Sequence, residues 1–475
     1  MMLLNKANFP TQIFRAYDIR GKLEYLTPSI VTAIAVALSR LYSQQQVKRL
    51  VLGYDARLSS PMYAAMIQSV LSKHGIEVIQ LGCCSTPMMY FFAAQYGGNG
   101  IMITASHNPK TDNGIKWMCQ GEPPSPAQIQ EIAVWAQQEI TQIDDDQIAL
   151  DSPHQFHEQF RQQYLQYLQQ DIQIKRPLKI VVDGLNGSAG QYAVESLTRL
   201  GCIVTALRCK ANGHFPEHAP DPSKARHLQR LQQQVIEQQA DLGFALDGDG
   251  DRVVIVDETG QIIGADRLLC LFAQICLAQQ PQHEIVFDVK CSNQVTQFVE
   301  KHQGIATMIR TGSTFLRKYI AHSKRQAIFG GEYAGHYVFN DGRGRGYDDG
   351  LYAALRAIEF LSQQDQSFSQ LMLAIPKRFS TEDNYISTHH HSPQALLQLI
   401  EQNCQMMGAK LIKIDGIRLD FEDGFGIIRA SNTGEYLTAR FDADTAERLE
   451  QIRQDFAAIF NSQYPEIAQD IRQAH

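Results

Sequence analysis

The chain has 475 residues, 44% of them apolar and 20% charged, and carries a net charge of −7. This is the composition of a soluble globular protein too long for one hydrophobic core, and length alone suggests about three domains. The acidic balance argues against broad nucleic-acid binding, and no apolar run is long enough for a membrane-spanning helix, so neither partner is expected.

Taken in chain order, the opening "MMLLNKANFPTQIF" has no apolar core suited to a secretory signal. Three later segments share one layout: "RLVLGYDARLSSPMYAAMIQSVLSKHGIEVIQLG" (49–82), "KIVVDGLNGSAGQYAVESLTRLGCIVTALR" (179–208) and "EIVFDVKCSNQVTQFVEKHQGIATMIRTG" (284–312). Each begins with a β-branched apolar run, then a polar turn, an amphipathic stretch, a glycine and a second apolar run. That order predicts strand, helix, strand, with parallel pairing and sheets covered on both faces. Three copies at roughly domain-sized intervals predict three related α/β domains with mixed sheets. The remainder reads differently. "KLIKIDGIRLDF", "FGIIRAS" and "EYLTARFD" predict short strands, and "ADTAERLEQIRQDFAAIF" one closing helix, giving a smaller α+β domain. Boundaries are expected in the polar stretch 141–155, the turn 257–261 and the segment 374–383. The domains are then 1–152, 153–259, 260–374 and 375–475.

The nine cysteines are scattered, with no CxxC and no zinc spacing, which predicts reduced thiols in a cytoplasmic protein. "HHH" at 389–391 is expected to be a polar strand end or loop rather than a metal site.

Four loops carry chemistry. "GIMITASHNPKTDNG" predicts a strand followed by a turn cluster, which puts Ser106 past a strand's C-terminal end, where α/β folds bind ligands. On an extended chain the neighbouring His107 points to the opposite face, so it is badly placed to take a proton from Ser106. No GxSxG elbow surrounds the serine. In "FALDGDGDRVVIVD", Asp247, Asp249 and Asp251 alternate with glycines on a turn between two apolar strands. Three carboxylates so close repel one another without a cation, and the glycines let the turn fold tightly enough for all three to hold one hard divalent ion such as Mg²⁺. An EF-hand is the first rival, but Arg252 stands where that loop needs glycine and strands flank the turn. A phosphatase with Asp247 as nucleophile and a solvated Asp-Gly hairpin are the other two. In "IFGGEYAGHYVF", Glu332 and His336 read as a loop entering a strand, suited to a polyhydroxylated ligand; a core histidine and a surface glutamate is the plainer alternative. In "IIRASNTGEYL", Arg429 has the fork that matches phosphate, and Ser431, Asn432 and Thr433 supply further donors; an ordinary Ser/Asn turn is the alternative.

Together these loops resemble the α-D-phosphohexomutase family, in its phosphomannomutase/phosphoglucomutase branch. "TASHNP" is similar to that family's phosphoserine loop, "DGDGDR" to its metal loop, "GEYAGH" to its sugar-specificity loop and "RASNTGE" to its phosphate-binding loop. "FRAYDIRG" (14–21) and "YDDGLYAALRAIEFL" (347–361) match the same branch, and the resemblance runs the whole chain in the family's order. It implies four domains around a central cleft and the interconversion of hexose 1-phosphate and hexose 6-phosphate, of mannose or glucose, through a bisphosphorylated sugar. Ser106 would carry the phosphoryl group, with Mg²⁺ on Asp247, Asp249, Asp251 and a phosphoserine oxygen, and Arg252 beside it. Glu332 and His336 would read sugar hydroxyls; Arg429, Ser431, Asn432 and Thr433 would grip the other phosphate. Tyr17, Arg20, His107, Lys116 and Lys290 match further active-site positions, with Arg20, His107 and Lys116 as proton-transfer candidates. A sugar 1,6-bisphosphate would serve as activator, and a monomer is expected. The rival functions are a glucosamine-phosphate mutase, an aspartate-nucleophile sugar phosphatase, and a non-catalytic sugar-phosphate or Ca²⁺ binder. Three positions depart from the family's pattern: Ala334 replaces a serine, Ser313 a histidine, and Glu435 a proline.

Overall fold

The computed structural model describes residues 9–140, 157–324, 326–403, 408–430 and 436–474. The chain divides into two compact units. The first is Met1–Ile263 with Ala334–Phe339 and Arg343–Leu371; the second is Gly264–Tyr333 with Asn340–Gly342 and Met372–His475.

The first unit begins with a five-stranded sheet. Its strands are β1 (Ile19–Lys22), β2 (Arg49–Tyr54), β3 (Glu77–Cys83), β4 (Gly100–Ile103) and β5 (Asp112–Met118), in the spatial order β1-β5-β4-β2-β3. β3, β2 and β4 are parallel; β5 runs antiparallel to both of its neighbours, β4 and β1, so β1 points the same way as β4. The apolar run Leu50–Leu52 is fully buried, as expected of a strand covered on both faces. The covering helices start where caps dictate. Thr27 and Ser85 each accept a backbone N–H, and a proline follows in the first turn of each helix. Because β4 is parallel to β2 and β5 antiparallel to both, the β4–β5 loop that holds Ser106 emerges at the C-terminal edge of the parallel strands.

A four-stranded sheet follows, ordered β7-β6-β8-β9, from β6 (Lys179–Asp183), β7 (Ile203–Leu207), β8 (Leu242–Leu246) and β9 (Val253–Asp257). Only β9 runs antiparallel, so the β8–β9 turn, residues 247–252, is also at a C-terminal strand edge.

The second unit repeats the parallel pattern with β10 (Glu284–Asp288), β11 (Ile305–Ile309) and β12 (Ala327–Gly331), ordered β11-β10-β12. Thus all three repeats form strand, helix and parallel strand. In the first two, the helix ends at a glycine with positive φ, Gly75 and Gly201; in the third, Gln303 takes that conformation instead. β13 (Tyr337–Phe339) belongs to the first unit. The last domain is antiparallel throughout: β14 (Phe379–Ser380), β15 (Asn384–Ser387), β16 (Lys410–Ile412), β17 (Ile417–Asp420), β18 (Gly424–Ala430) and β19 (Tyr436–Ala443), ordered β14-β19-β18-β17-β16 with β15 also on β19. One expectation needs correction. The closing helix Ala446–Phe460 is followed by a second, Pro465–Arg472, started by proline and packed by Ile467 and Ile471. "HHH" is a turn after β15; His389 and His391 pair with Asp470 and Glu466 on that extra helix.

Among the described residues, no helix is long and apolar enough to cross a membrane. The eight described cysteines form no disulfide.

Candidate active site

Ser106 is buried and has φ of +51°, in the left-handed region. For a residue with a Cβ, this costs on the order of 1–3 kcal/mol, and such strain is concentrated at functional sites. Its Oγ donates to Asp247 Oδ2 at 2.5 Å, across 141 residues of sequence. His107 Nδ1 lies 3.2 Å from the same Oγ. This corrects the expectation that the two side chains point apart. The alternation argument assumes extended backbone, and the positive φ at Ser106 turns the neighbouring imidazole back toward the hydroxyl.

Asp247, Asp249 and Asp251 are fully buried, and oxygens from all three lie within 4.8 Å of one another. The turn is tight because Gly248 packs against the Ser106 carbonyl. A Cβ there would sit 2.4 Å from that oxygen. Asp247 Oδ1 accepts from the Gly250 and Arg252 amides. Asp249 Oδ2 accepts from Thr86 Oγ1 at 2.5 Å and Lys116 Nζ at 2.8 Å, and Asp251 Oδ2 accepts from Lys116 at 2.7 Å. Burial, then the neighbouring Asp251 and Asp249, pushes Asp247 well above the usual carboxylate range. Asp251 is also penalised by burial, but Lys116 and His336 outweigh that and hold it below the usual range. For Lys116 the same pairing overcomes burial and keeps the ammonium charged.

The donor set fits a hard divalent cation. Asp249 Oδ1 and Asp251 Oδ1 are buried carboxylate oxygens with no hydrogen-bond partner among the described residues, an arrangement costly without a charge to meet them.

Around this centre, His107 is held well below the usual imidazole range, first by burial and then by Arg252, Arg20, His336 and Lys116, so its ring is neutral. Arg20 sits on β1 opposite Gly114, pairs with Asp18 at 2.6 Å and reaches Asn108 at 3.4 Å. Tyr17 is exposed. Arg252 Nε lies 2.8 Å from His336 Nε2, and His336 Nδ1 lies 2.9 Å from Asp348 Oδ2. His336 is thus oriented by Arg252 and Asp348. Thr86 and Asp348 were missed from sequence: Thr86 reads as an ordinary first helical residue and Asp348 as part of a helix-starting turn.

The second unit holds other predicted residues. Glu332 is buried and accepts the Gly312 amide at 2.5 Å. Lys290 pairs with Asp383 at 2.6 Å and stands 5.5 Å from the Tyr333 ring centre. Arg429, on β18, pairs with Asp415 at 2.8 Å. Ser313 begins the helix Ser313–His322. Ser431, Asn432, Thr433 and Glu435 lie outside the described residues. Thus Ser106, His107, Arg20, Lys116, Arg252, His336 and the three aspartates come together in the first unit, and Lys290, Glu332 and Arg429 are placed in the second.

Comparison with known proteins defines the class. Four family models match in order. They are the phosphoglucomutase/phosphomannomutase alpha/beta/alpha domain I at residues 11–142, domain II at 162–260, domain III at 264–379 and the C-terminal domain at 388–459. The chain belongs to the phosphoglucomutase/phosphomannomutase family and is a mutase of that class, an isomerase that moves a phosphoryl group within its substrate. A phosphomannomutase/phosphoglucomutase of Pseudomonas putida is 36% identical over 458 residues, covering 96% of this chain and 97% of its own. A phosphoglucomutase of Neisseria meningitidis is 38% identical over 461 residues, covering 96% and 98%. The crystal structure of a phosphoglucomutase/phosphomannomutase family protein from Burkholderia thailandensis superposes with a TM-score of 0.86 at 32% identity, covering 96% of this chain and 98% of its own.

Proposed function

We propose that this mutase interconverts hexose 1-phosphate and hexose 6-phosphate, of mannose, glucose or both, with Ser106 as the phosphoryl carrier. The observation that carries this reading is the buried Ser106 hydroxyl 2.5 Å from Asp247, beside two carboxylate oxygens of the trio that lack a hydrogen-bond partner among the described residues. Asp247, Asp249 and Asp251, with an oxygen of phosphorylated Ser106, would hold Mg²⁺. When bound, the ion supplies positive charge to the transferring phosphoryl group.

The chain's own residues account for the rest. Phosphoryl transfer asks chiefly for positioning and charge neutralisation. In the first half, the Oγ–P bond of phosphorylated Ser106 breaks as a free sugar hydroxyl bonds to phosphorus and gives up its proton. The bisphosphorylated sugar then turns around, and its other phosphoryl group returns to Ser106 Oγ. A sugar 1,6-bisphosphate therefore also primes an unphosphorylated enzyme. Of the three proton-transfer candidates, Arg20 and Lys116 remain cations, and only His107 is in its basic form at neutral pH. We assign proton acceptance to His107. Arg252 stabilises charge beside Ser106, with His336 holding its guanidinium. Glu332 and His336 read sugar hydroxyls, and Lys290 and Arg429, with Ser431, Asn432 and Thr433, bind the other phosphate. Tyr17, being exposed, suits the edge of the substrate site.

A monomer is expected. The partner is a phosphosugar, with neither nucleic acid nor membrane required, and a cytoplasmic location is expected. The test is mutase turnover with mannose 1-phosphate and glucose 1-phosphate, primed with the bisphosphate, together with intact-mass analysis. Wild-type protein is expected to carry one phosphoryl group on the Ser106 peptide, and Ser106→Ala to fold but lose turnover. Near-normal turnover in that variant removes Ser106 from the mechanism.

A further inference from the structure

Arg57 lies far from the four motif loops in sequence, follows β2, and is almost wholly buried. A guanidinium has five N–H donors in a rigid plane. Here all five are used. Nε donates to Asp55 Oδ2 at 3.0 Å. Nη1 donates to the carbonyls of Pro109 at 2.6 Å and Asp112 at 3.0 Å. Nη2 donates to the carbonyls of Ser106 and Asn108, both at 2.7 Å. Three carbonyls of the β4–β5 loop and that of Asp112, where β5 begins, thus converge on one side chain. Asp55 is fixed in turn by Ser60 Oγ at 2.7 Å and by Thr104 Oγ1 at 2.8 Å. Thr104 Oγ1 closes the circuit, accepting the Ser106 amide at 2.8 Å. The aromatic face of Phe215 covers the guanidinium at 5.4 Å.

The effect falls on a strained residue. Ser106 has φ of +51°, and the groups on either side of that torsion are the ones held: its amide by Thr104 and its carbonyl by Arg57. Asp55 and Arg57 are buried charged groups, and four of the five Arg57 donors run to the loop. Left-handed backbone at a non-glycine residue persists only where its surroundings over-determine it.

We propose that Arg57, with Asp55 and Thr104, is a positioning unit that locks the Ser106 backbone in its left-handed conformation, so that Oγ keeps its place against the aspartate trio whether or not it carries phosphate. This rests on the reading of Ser106 as the phosphoryl carrier. A carrier must return to the same geometry in both halves of the reaction. A loop bound through four N–H groups of one rigid guanidinium cannot relax when the phosphoryl group leaves. Misplacing a reacting atom by about 1 Å costs about 100-fold in rate. Lysine in place of Arg57 offers three donors from a single nitrogen and cannot span four carbonyls.

The test uses full-length Arg57→Lys, Thr104→Val and Thr104→Ser. Thr104→Val is close to isosteric and guards against a failure of Arg57→Lys to fold. We expect kcat to fall about 100-fold in Arg57→Lys and at least tenfold in Thr104→Val, with KM for the hexose phosphate within threefold of wild type and with Thr104→Ser restoring kcat. Phosphorylation of Ser106 by glucose 1,6-bisphosphate, followed by intact mass, should slow in parallel. Folded Thr104→Val with kcat within threefold of wild type overturns the proposal, as does a matching rise of KM. If wild-type protein never carries phosphate on Ser106, the underlying assignment fails instead, which mass analysis of the wild type alone reveals.

Discussion

The hydroxyl of Thr86 offers the sharpest probe of the metal centre. Thr86 begins the helix Thr86–Ala93, and its Oγ1 donates to Asp249 Oδ2 at 2.5 Å while its amide donates to the Asp249 carbonyl at 2.8 Å. Thr86→Val keeps the shape and the amide bond and removes only the hydroxyl. Asp249 Oδ2 is then left with Lys116, which is shared with Asp251. A hydrogen bond to a charged group is worth about 1.5–3 kcal/mol. At about 1.4 kcal/mol per factor of ten, losing it where the carboxylate must be aimed at a cation predicts roughly tenfold to hundredfold weaker metal binding. The assay is Mg²⁺ titration of mutase activity, paired with calorimetric titration of the chelator-stripped protein. The half-saturating Mg²⁺ concentration should rise by that factor in Thr86→Val and return close to wild type in Thr86→Ser. Equal half-saturation in wild type and Thr86→Val would refute the claim that Thr86 orients a metal ligand.

Three further outcomes follow from the same geometry. Asp247→Asn combined with Asp249→Asn should abolish turnover, and excess chelator should do the same to wild type; full activity in either case counts against the trio as the metal site. Gly248→Ala places a methyl 2.4 Å from the Ser106 carbonyl oxygen, so turnover should fall at least tenfold and the melting temperature should drop, as measured by kinetics and thermal denaturation. Burial raises Asp349 to about 6, from an ordinary 3.8, against the hydrogen bonds from Tyr164 and the Tyr352 amide that favour its charged form. The folded state therefore binds the extra proton between those values, and stability falls as pH rises through that window. At 1.36 kcal/mol per unit the loss is about 3 kcal/mol. Asp349→Asn should escape it, gaining stability relative to wild type between pH 4 and 7; parallel denaturation curves for the two proteins across that range would show the inference to be wrong.

Much of this protein is legible along the chain because its determinants are local. The strand-helix-strand repeats follow from apolar periodicity within about thirty residues. The aspartate turn is visible because three like charges at spacing two need a cation or a reason to be apart. The left-handed turn at Ser106 is not legible, because nothing in "TASHNP" marks a positive φ as "NG" marks one. Reading that stretch as extended put His107 on the wrong side, when the folded loop brings its imidazole within 3.2 Å of the hydroxyl. Lys116 matched the family motif by position, but its hold on two aspartates emerges only when β5 is laid beside β4 in the folded sheet.

The sequence by itself determined which residue types are present and which short segments become strands, helices and tight turns, since those choices are settled by backbone sterics and by where apolar side chains recur. Tertiary structure alone decided which distant groups meet. Thr86 reaches Asp249 across 163 residues and Ser106 reaches Asp247 across 141. Arg57 spends its five donors on partners up to 55 residues away. Those pairings depend on how strand edges and loops converge in space, and a buried hydrogen bond has no signature in the one-dimensional order of the residues that make it.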